Sequence, residues 1–342
     1  MMRARHRVVA AAVLLVTAQV TACSTCQGLT PVSISTPTAS PPTAPPWRQA
    51  APASVPPPPA PFLAAVPAPT FPGTMALGVP GRTGLAGSPR ILSGKLTHTL
   101  DGFLVRYGGG RTAVSVRDLT TGRRYRYHRA LQLPTASISK VSILTALLLD
   151  TRWRELGDQA RSDARHMIRF GDDGAADRLY ERIGLESGLA SANRRLGLKR
   201  TYTPGGRCVA QNCWGATQST AEDQVRLVRA LATGRSPLAP AERRRVLGLM
   251  ERVTPGQKWG ISAGACENDQ VSLKNGWLRH ASNGRWVVVS AGLIRGHGHD
   301  YAVAVLTEDS PSMSAGIAKV EGVAARVMKA FRGEHGCEPD AN

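Results

Sequence analysis

The order of elements in this sequence predicts an α+β domain built on a five-stranded antiparallel sheet. Two observations carry that expectation. A helix and a hairpin come first, a block of helices follows, and three strand-like runs and a last helix close the chain. Strands and helices therefore do not alternate singly, as they would in a parallel sheet. Apolar residues recur at three-to-four spacing in the helical stretches and at every second position in the strand-like ones. The terminal helices are expected on one face of the sheet, with a shortened all-helical part beside it. A site would lie where the two parts meet.

Each element has its own signal. Leu92, Leu96, Leu100 and Leu104 give helical spacing over 92–107. Residues 112–118 (TAVSVRD) alternate as a strand, Thr120-Thr121-Gly122 makes a turn, and 123–128 returns, which is a hairpin. Residues 133–150 (LPTASISKVSILTALLLD) open with Pro134 and small residues and become a strongly apolar helix. Helices are expected at 156–170 and 173–183, split by Gly171, and at 189–196. Residues 197–217, with Pro204, Gly205 and Gly206, read as loop. Helices follow at 220–232 and 240–253. Strands are expected from 271 onward, at 285–293 and at 301–307, and Pro311 precedes a helix over 315–331.

The chain before this domain has a different composition. Arg3, Arg5 and Arg7 precede an apolar run at 8–16, too short to span a bilayer comfortably, so residues 1–22 read as a targeting segment. It ends in Val20-Thr21-Ala22-Cys23, which resembles a bacterial lipobox, with Cys23 as the lipidated mature N-terminus. A plain signal peptide cleaved near Ala22 is the other reading. Residues 23–90 read as a disordered linker, and 17 of the 24 prolines fall within it. Such a stretch cannot bury enough apolar surface to offset its ordering entropy and should act as a solvated spacer. The expected location is the extracytoplasmic face of the cell membrane, through the lipid anchor. The remaining part, 91–337, is long enough for one domain with a real core.

The formal net charge is +19. Nucleic acid is not expected as partner of an exported chain. Anionic envelope polymers are, although a basic surface also serves solubility alone. Export favours disulfides. Cys208 and Cys213 are close enough in sequence to close a small ring, and Cys266 and Cys337 lie far apart. No cofactor and no metal are expected, and the chain reads as a monomer.

Ser137 and Lys140 stand three residues apart at the start of the apolar helix. Residues at that spacing share a helix face. A serine hydroxyl needs a base within hydrogen-bond reach to act as a nucleophile, and a buried lysine with a lowered pKa supplies one. A helix N-terminus also favours developing negative charge. Taken alone, the same residues describe a capped helix with one surface lysine.

Two further stretches bear on that choice. Lys274-Asn275-Gly276 sits on a later strand, and MIRFGDDGAADRLYERIG occupies 167–184. Together with Ser137–Lys140 they resemble the three signatures of the penicillin-recognising serine enzymes, S-x-x-K, S-x-N and K-T/S-G. The chain is most similar to actinobacterial class A β-lactamase-related serine hydrolases. WGATQSTAEDQVRLVRAL (214–231), KWGISAG (258–264) and GIAKVEGVAARV (316–327) fit the same likeness. The resemblance implies the β-lactamase/transpeptidase-like fold, with Ser137 as acyl acceptor and Lys140 as its base. It implies Lys274 on the substrate carboxylate, and an oxyanion hole from the N–H groups of Ser137 and Trp277, the latter directly after Gly276. In that fold the last helix returns toward the start of the Lys274 strand, which implies a Cys266–Cys337 disulfide.

The sequence departs from the family twice. Gly171 stands where the S-D-N serine belongs and Asp173 where its asparagine belongs. Glycine cannot relay a proton, and Asp173 would repel a substrate carboxylate or hold Lys140 protonated. Residues 197–217 contain no Glu or Asp to hold a deacylating water; Glu186 and Glu222 lie outside them. Two functions are therefore expected in competition. One is a serine hydrolase acylated on Ser137 by a β-lactam or a peptidoglycan-type peptide and slow to deacylate. The other is a non-catalytic domain that binds wall peptide or a partner protein.

Overall fold

The computed structural model describes residues 89–204, 213–296, 298–333 and 336–337. The targeting segment, Cys23, the linker up to residue 88 and Cys208 lie outside the described residues, and the last two residues read as linker, 89 and 90, open a helix. Helix α1 (Pro89–Leu104) leads through a 3₁₀ turn at Val105–Tyr107 into strand β1 (Thr112–Asp118) and strand β2 (Arg124–Tyr127). The hairpin turns on Asp118, whose carboxylate accepts from the N–H groups of Thr120 and Thr121 at 2.9 and 3.2 Å. A helical block follows: α2 (Ser139–Asp150), α3 (Asp158–Arg169), α4 (Asp173–Arg182), α5 (Leu185–Arg195), α6 (Ala221–Ala232) and α7 (Pro240–Glu251). It is interrupted by two short strands, β3 (Gln132–Pro134) before α2 and β4 (Gln218–Thr220) before α6. Strands β5 (Gln270–Arg279), β6 (Trp286–Gly296), β7 (His299–Ser310) and helix α8 (Met313–Arg332) complete the domain.

The main sheet has the order β2-β1-β7-β6-β5, and every neighbouring pair is antiparallel. The five strands and their direction are those expected. The alternation along each strand divides it between two cores. Val114, Val116, Val288, Val303 and Val305 face α1 and α8 and join Leu100, Phe103, Val320, Val323 and Val327. Ala113, Val289, Ala291, Ala302, Ala304 and Leu306 face the helical block. With both faces covered, the central strands read as nearly unbroken apolar runs. The alanines let α6 approach β1, β6 and β7 closely.

Helix α2 lies inside that second core. Ten of its residues, Ser139 through Leu148, are buried, so its sequence is apolar on every side rather than on one stripe. Each buried leucine or isoleucine there contributes about 1.5–3 kcal/mol relative to exposure. Strands β3 and β4 pair as a separate two-stranded ribbon, Gln132↔Thr220 through Pro134↔Gln218. This ribbon was not expected, since the sequence reads as a turn around Pro134 and as helix from Thr220; within the stretch read as loop, Tyr202 bridges to its Gln218 end. It fixes where the chain enters α2.

Candidate active site

Ser137 is placed by the end of that ribbon. Past Pro134, Thr135 donates its N–H to Thr217 O at 2.8 Å and its hydroxyl to the same oxygen at 3.0 Å. Residues Ala136–Ile138 then form one 3₁₀ turn, and the α-helix proper begins only at Ser139. Ser137 therefore precedes the α-helix instead of lying on it. Ala136, immediately before it, is buried with φ +45°, a left-handed conformation that costs about 1–3 kcal/mol for a non-glycine residue. The turn is held by Ser139, whose hydroxyl donates to Trp214 O at 2.8 Å. Strand β5 presses on the other side. A Cβ on Gly276 would stand 2.7 Å from Ser137 N and 2.8 Å from Thr135 O, so only glycine lets β5 approach the serine turn this closely.

Lys140 is fully buried. Its Nζ donates to Gly171 O at 2.5 Å and to Asp173 Oδ1 at 2.6 Å, and it lies 4.7 Å from the centre of the Trp214 ring. Both hydrogen bonds thus go to the turn before α4. The two adjacent aspartates of that turn have separate tasks. Asp172 caps α4, accepting from Ala175 N at 2.9 Å, and Asp173 pairs with Lys140. Gly171 has φ +79°, which allows the sharp turn that delivers its carbonyl to the lysine. Burial pushes the Lys140 ammonium below its ordinary range, and the hydrogen bond and charge of Asp173 pull it back up. The net shift is downward, while the ion pair expected between Asp173 and Lys140 is present and favours the protonated form.

Lys274 is equally buried, on β5. Burial, and then the charge of Lys140, push it down to about 7, with Asp173 opposing. Asp173 pairs with Lys140 directly and acts on Lys274 only through its charge. Lys274 Nζ donates to Asn275 O at 3.0 Å and to Gln257 Oε1 at 3.2 Å. Gln257 was not singled out by the sequence. It lies in a short turn, Pro255–Gln257, and its Nε2 donates to Phe170 O at 2.9 Å. Asn275 clamps that segment to β5, donating to Gln257 O at 2.9 Å and Trp259 O at 2.8 Å. A Cβ on Gly171 would lie 2.8 Å from Gln257 Nε2. The amide of Gln257 therefore occupies the space beside Gly171 into which a serine side chain would project.

Trp214 opens a stretch that fits the family likeness, but no role for it was legible in the sequence. It belongs to a 3₁₀ turn, Cys213–Ala216, is buried, and donates from Nε1 to Asp177 Oδ1 at 2.8 Å. Its indole, rather than a carboxylate, faces Lys140 from this side. Of the two acids named outside the loop, Glu222 is committed to an ion pair with Arg126, and Glu186 lies in the first turn of α5. Trp277 follows Gly276 on β5, its ring 6.0 Å from that of Trp259. Cys266 and Cys337 are disulfide-bonded. Cys213 is also in a disulfide, while Cys208 lies outside the described residues. Ser137, Lys140, Gly171, Asp173, Lys274 and Gly276 are therefore drawn together from three segments distant in sequence. The chemistry available is a serine in a strained turn, one cationic and carboxylate cluster, and a glycine-lined strand edge.

A model of the β-lactamase enzyme family matches residues 159–331. Proteins of Mycobacterium tuberculosis and Mycobacterium bovis named "Putative lipoprotein LppW" are 29% identical over 198 residues, which is 54% of this chain and 60% of theirs. The match thus spans less than two thirds of those relatives. Among solved structures, a variant of the class A β-lactamase of the last common ancestor of Gram-negative bacteria is similar at TM-score 0.58 and 23% identity, over 70% of this chain and 99% of that one. PBP-A in an acyl-enzyme complex with penicillin G gives TM-score 0.60 at 19% identity, over 70% and 97%. The TLA-1 extended-spectrum β-lactamase gives 0.62 at 14%, over 70% and 99%. At these identities the structural likeness is one of fold, the β-lactamase/transpeptidase-like fold.

Proposed function

Because the chain belongs to the β-lactamase enzyme family, we propose that it is an exported serine hydrolase that is acylated on Ser137 and deacylates slowly. The observation that carries this reading is the seating of Ser137. Its turn is strained at Ala136, packed against Gly276, and followed by a buried Lys140 whose pKa lies below the ordinary range. Substrates would be a β-lactam or a peptidoglycan-type peptide. Ser137 Oγ would attack the carbonyl and pass its proton to Lys140. The N–H groups of Ser137 and Trp277 would hold the oxyanion, each such donor typically worth about 3–4 kcal/mol in the transition state. Lys274 would bind the substrate carboxylate. The carbonyl–nitrogen bond then breaks, and the leaving nitrogen must take a proton without the hydroxyl that Gly171 lacks. Trp214 beside Lys140, where no loop carboxylate stands, supports slow release of the acyl group.

Anchoring belongs to the same proposal. The curated relatives bear a lipoprotein name, and lipidation at Cys23 would hold the domain outside the membrane. Among the described residues no helix is long and apolar enough to cross a bilayer.

The test is intact-protein mass spectrometry after incubation with a fluorescent penicillin. Wild type should gain one adduct that maps to Ser137, and Ser137→Ala should gain none. A wild type that stays unlabelled would sink the acyl-enzyme reading. One observation favours the alternative of a non-catalytic wall-peptide binder: Asp173, 2.6 Å from Lys140, sits where a substrate carboxylate would meet repulsion. Binding of a wall peptide that Ser137→Ala leaves intact, without labelling of wild type, would establish that reading instead.

A further inference from the structure

The arginines are scattered in the sequence but not in space. Two adjoining cavities, of about 290 and about 190 Å³, share Arg126, Glu222 and Arg226 as a common wall and together make up a basic trough. Arg117 of β1, Arg124 and Arg126 of β2, Arg226 and Arg229 of α6, and Arg129, Lys199 and Arg200 from the connecting segments line it. Against these eight cations stand only Glu222 and Asp223, a net of +6. Both acids are already engaged: Glu222 with Arg126 and Arg226, Asp223 with Arg226, Arg200 N and Thr201 Oγ1. Among the described residues, Arg117, Arg124, Arg129, Lys199, Arg200 and Arg229 have no carboxylate partner.

This arrangement works against the fold's own stability. Arg117 and Arg124 are direct cross-strand partners, a position where like charges destabilise a sheet. Arg226 and Arg229 are neighbours on one face of α6. Burial and the charges of Arg117, Arg226 and Arg235 lower the pKa of Arg229. A chain that needed charge only for solubility would spread these residues over convex surface. Local conflicts of this kind mark sites where a ligand completes the structure.

We infer that the trough binds a linear phosphodiester polyanion. Seven of its eight cations are arginines, whose forks grip phosphate oxygens bidentately. Paired guanidiniums across β1 and β2 suit a tetrahedral phosphate, whose oxygens point several ways. One fork already saturates a planar carboxylate. The two cavities are concave and adjoin across the Arg126–Glu222–Arg226 ion pairs, so a strand of polymer can reach both, whereas a bilayer would meet a flat or convex face.

The binding partner can be tested with the full chain and a fluorescein-tagged glycerol-phosphate oligomer, read by anisotropy across a salt series. Arg117→Gln/Arg124→Gln/Arg229→Gln should weaken binding at least about tenfold at low salt and flatten the log–log salt slope by about 2, from three lost contacts at about 0.7 each. Arg182→Gln/Arg194→Gln/Arg244→Gln removes the same charge from exposed positions outside the trough and should change affinity less than about twofold. Poly-glutamate and phosphatidylglycerol vesicles should bind more weakly than the oligomer. If the groove triple is unstable in a melting curve, Arg129→Gln/Lys199→Gln/Arg200→Gln at the other end carries the same expectation. Equal loss in the groove and control variants, equal binding of poly-glutamate, preference for vesicles, or no binding of the oligomer would each overturn the inference.

Discussion

On the proposed mechanism, Asp173 governs the reactivity of Ser137. It accepts a hydrogen bond from Lys140, and its charge raises the pKa of both Lys140 and Lys274. Removing the charge takes away an upward influence on each. In Asp173→Asn the neutral, basic form of Lys140 should persist to lower pH, so the acid limb of acylation should move down. Lys274 should also lose its proton earlier, so the basic limb should follow. A pH profile of Ser137 labelling tests this, and an unmoved acid limb would rule out Lys140 as the base. Gly171 is a harder target. A serine there adopts φ near +79°, at a cost of about 1–2 kcal/mol, and its Cβ collides with the Gln257 amide. Gly171→Ser/Asp173→Asn should therefore restore less than the roughly 10²–10⁴-fold typical of general acid catalysis. Adding Gln257→Ala, which clears the space, should raise labelling at least about tenfold over the double variant. If the triple variant folds and labels no faster, the missing hydroxyl is not what limits acylation.

At the scale of elements, local patterns carried most of the fold. Strand β1 coincides with its alternating stretch, and α2 with its apolar run. The β3–β4 ribbon was not legible because each strand has three residues and their pairing spans helices α2 to α5. The same reason hid Gln257 and Trp214. Each sits in a single 3₁₀ turn without a motif, and only tertiary folding carries it to a lysine. Ser137 with Lys140, and Lys274 with Gly276, could be named as candidates because each motif is a few nearly consecutive residues, although Ser137 proved to precede the helix that carries Lys140. The turn that carries Trp214 bears on the second step of the reaction. An acyl group on Ser137 should persist for minutes or longer, checked by following the adduct mass after the probe is removed. Rapid return of the free mass over several turnovers would show another group activating water. The terminal elements are joined differently. Cys266, before β5, is bonded to Cys337, after α8, closing a loop with sequence separation 71. On the chain-entropy model that contributes about 4 kcal/mol. Cys266→Ser/Cys337→Ser should lower stability in denaturant by an amount of that order, and an unchanged midpoint would refute the assignment.

At the scale of the whole molecule, the described residues include three fully buried lysines, Lys140, Lys274 and Lys319; Lys140 is paired with Asp173, and Lys274 feels the charges of both. A domain typically has only about 5–15 kcal/mol of net stability to set against such burial. The strain at Ala136 and the crowded ammonium groups belong to the same cluster, so the site is a place where the fold gives up stability. That makes a prediction with a definite sign. Lys274 titrates at about 7 in the folded chain and at its ordinary 10.5 when unfolded. Between these values the unfolded chain binds more protons, so the Lys274 contribution to stability rises with pH across that window. Below about 7 the lysine is charged in both states, and its burial penalty is at its greatest. Lys274→Met keeps the length of the side chain and removes the charge. Its melting temperature should exceed that of wild type at pH 6, and the difference should shrink toward pH 9, as wild-type Lys274 becomes neutral in the folded state. Titrating groups distant from Lys274 cancel in the difference, whereas Lys140 and Asp173, which are coupled to it, do not. A Lys274→Met protein that melts below wild type at pH 6, or a gap that does not change with pH, would mean that Lys274 is fully paired as a cation. Its role would then be structural, and carboxylate binding would have to be sought elsewhere in the site.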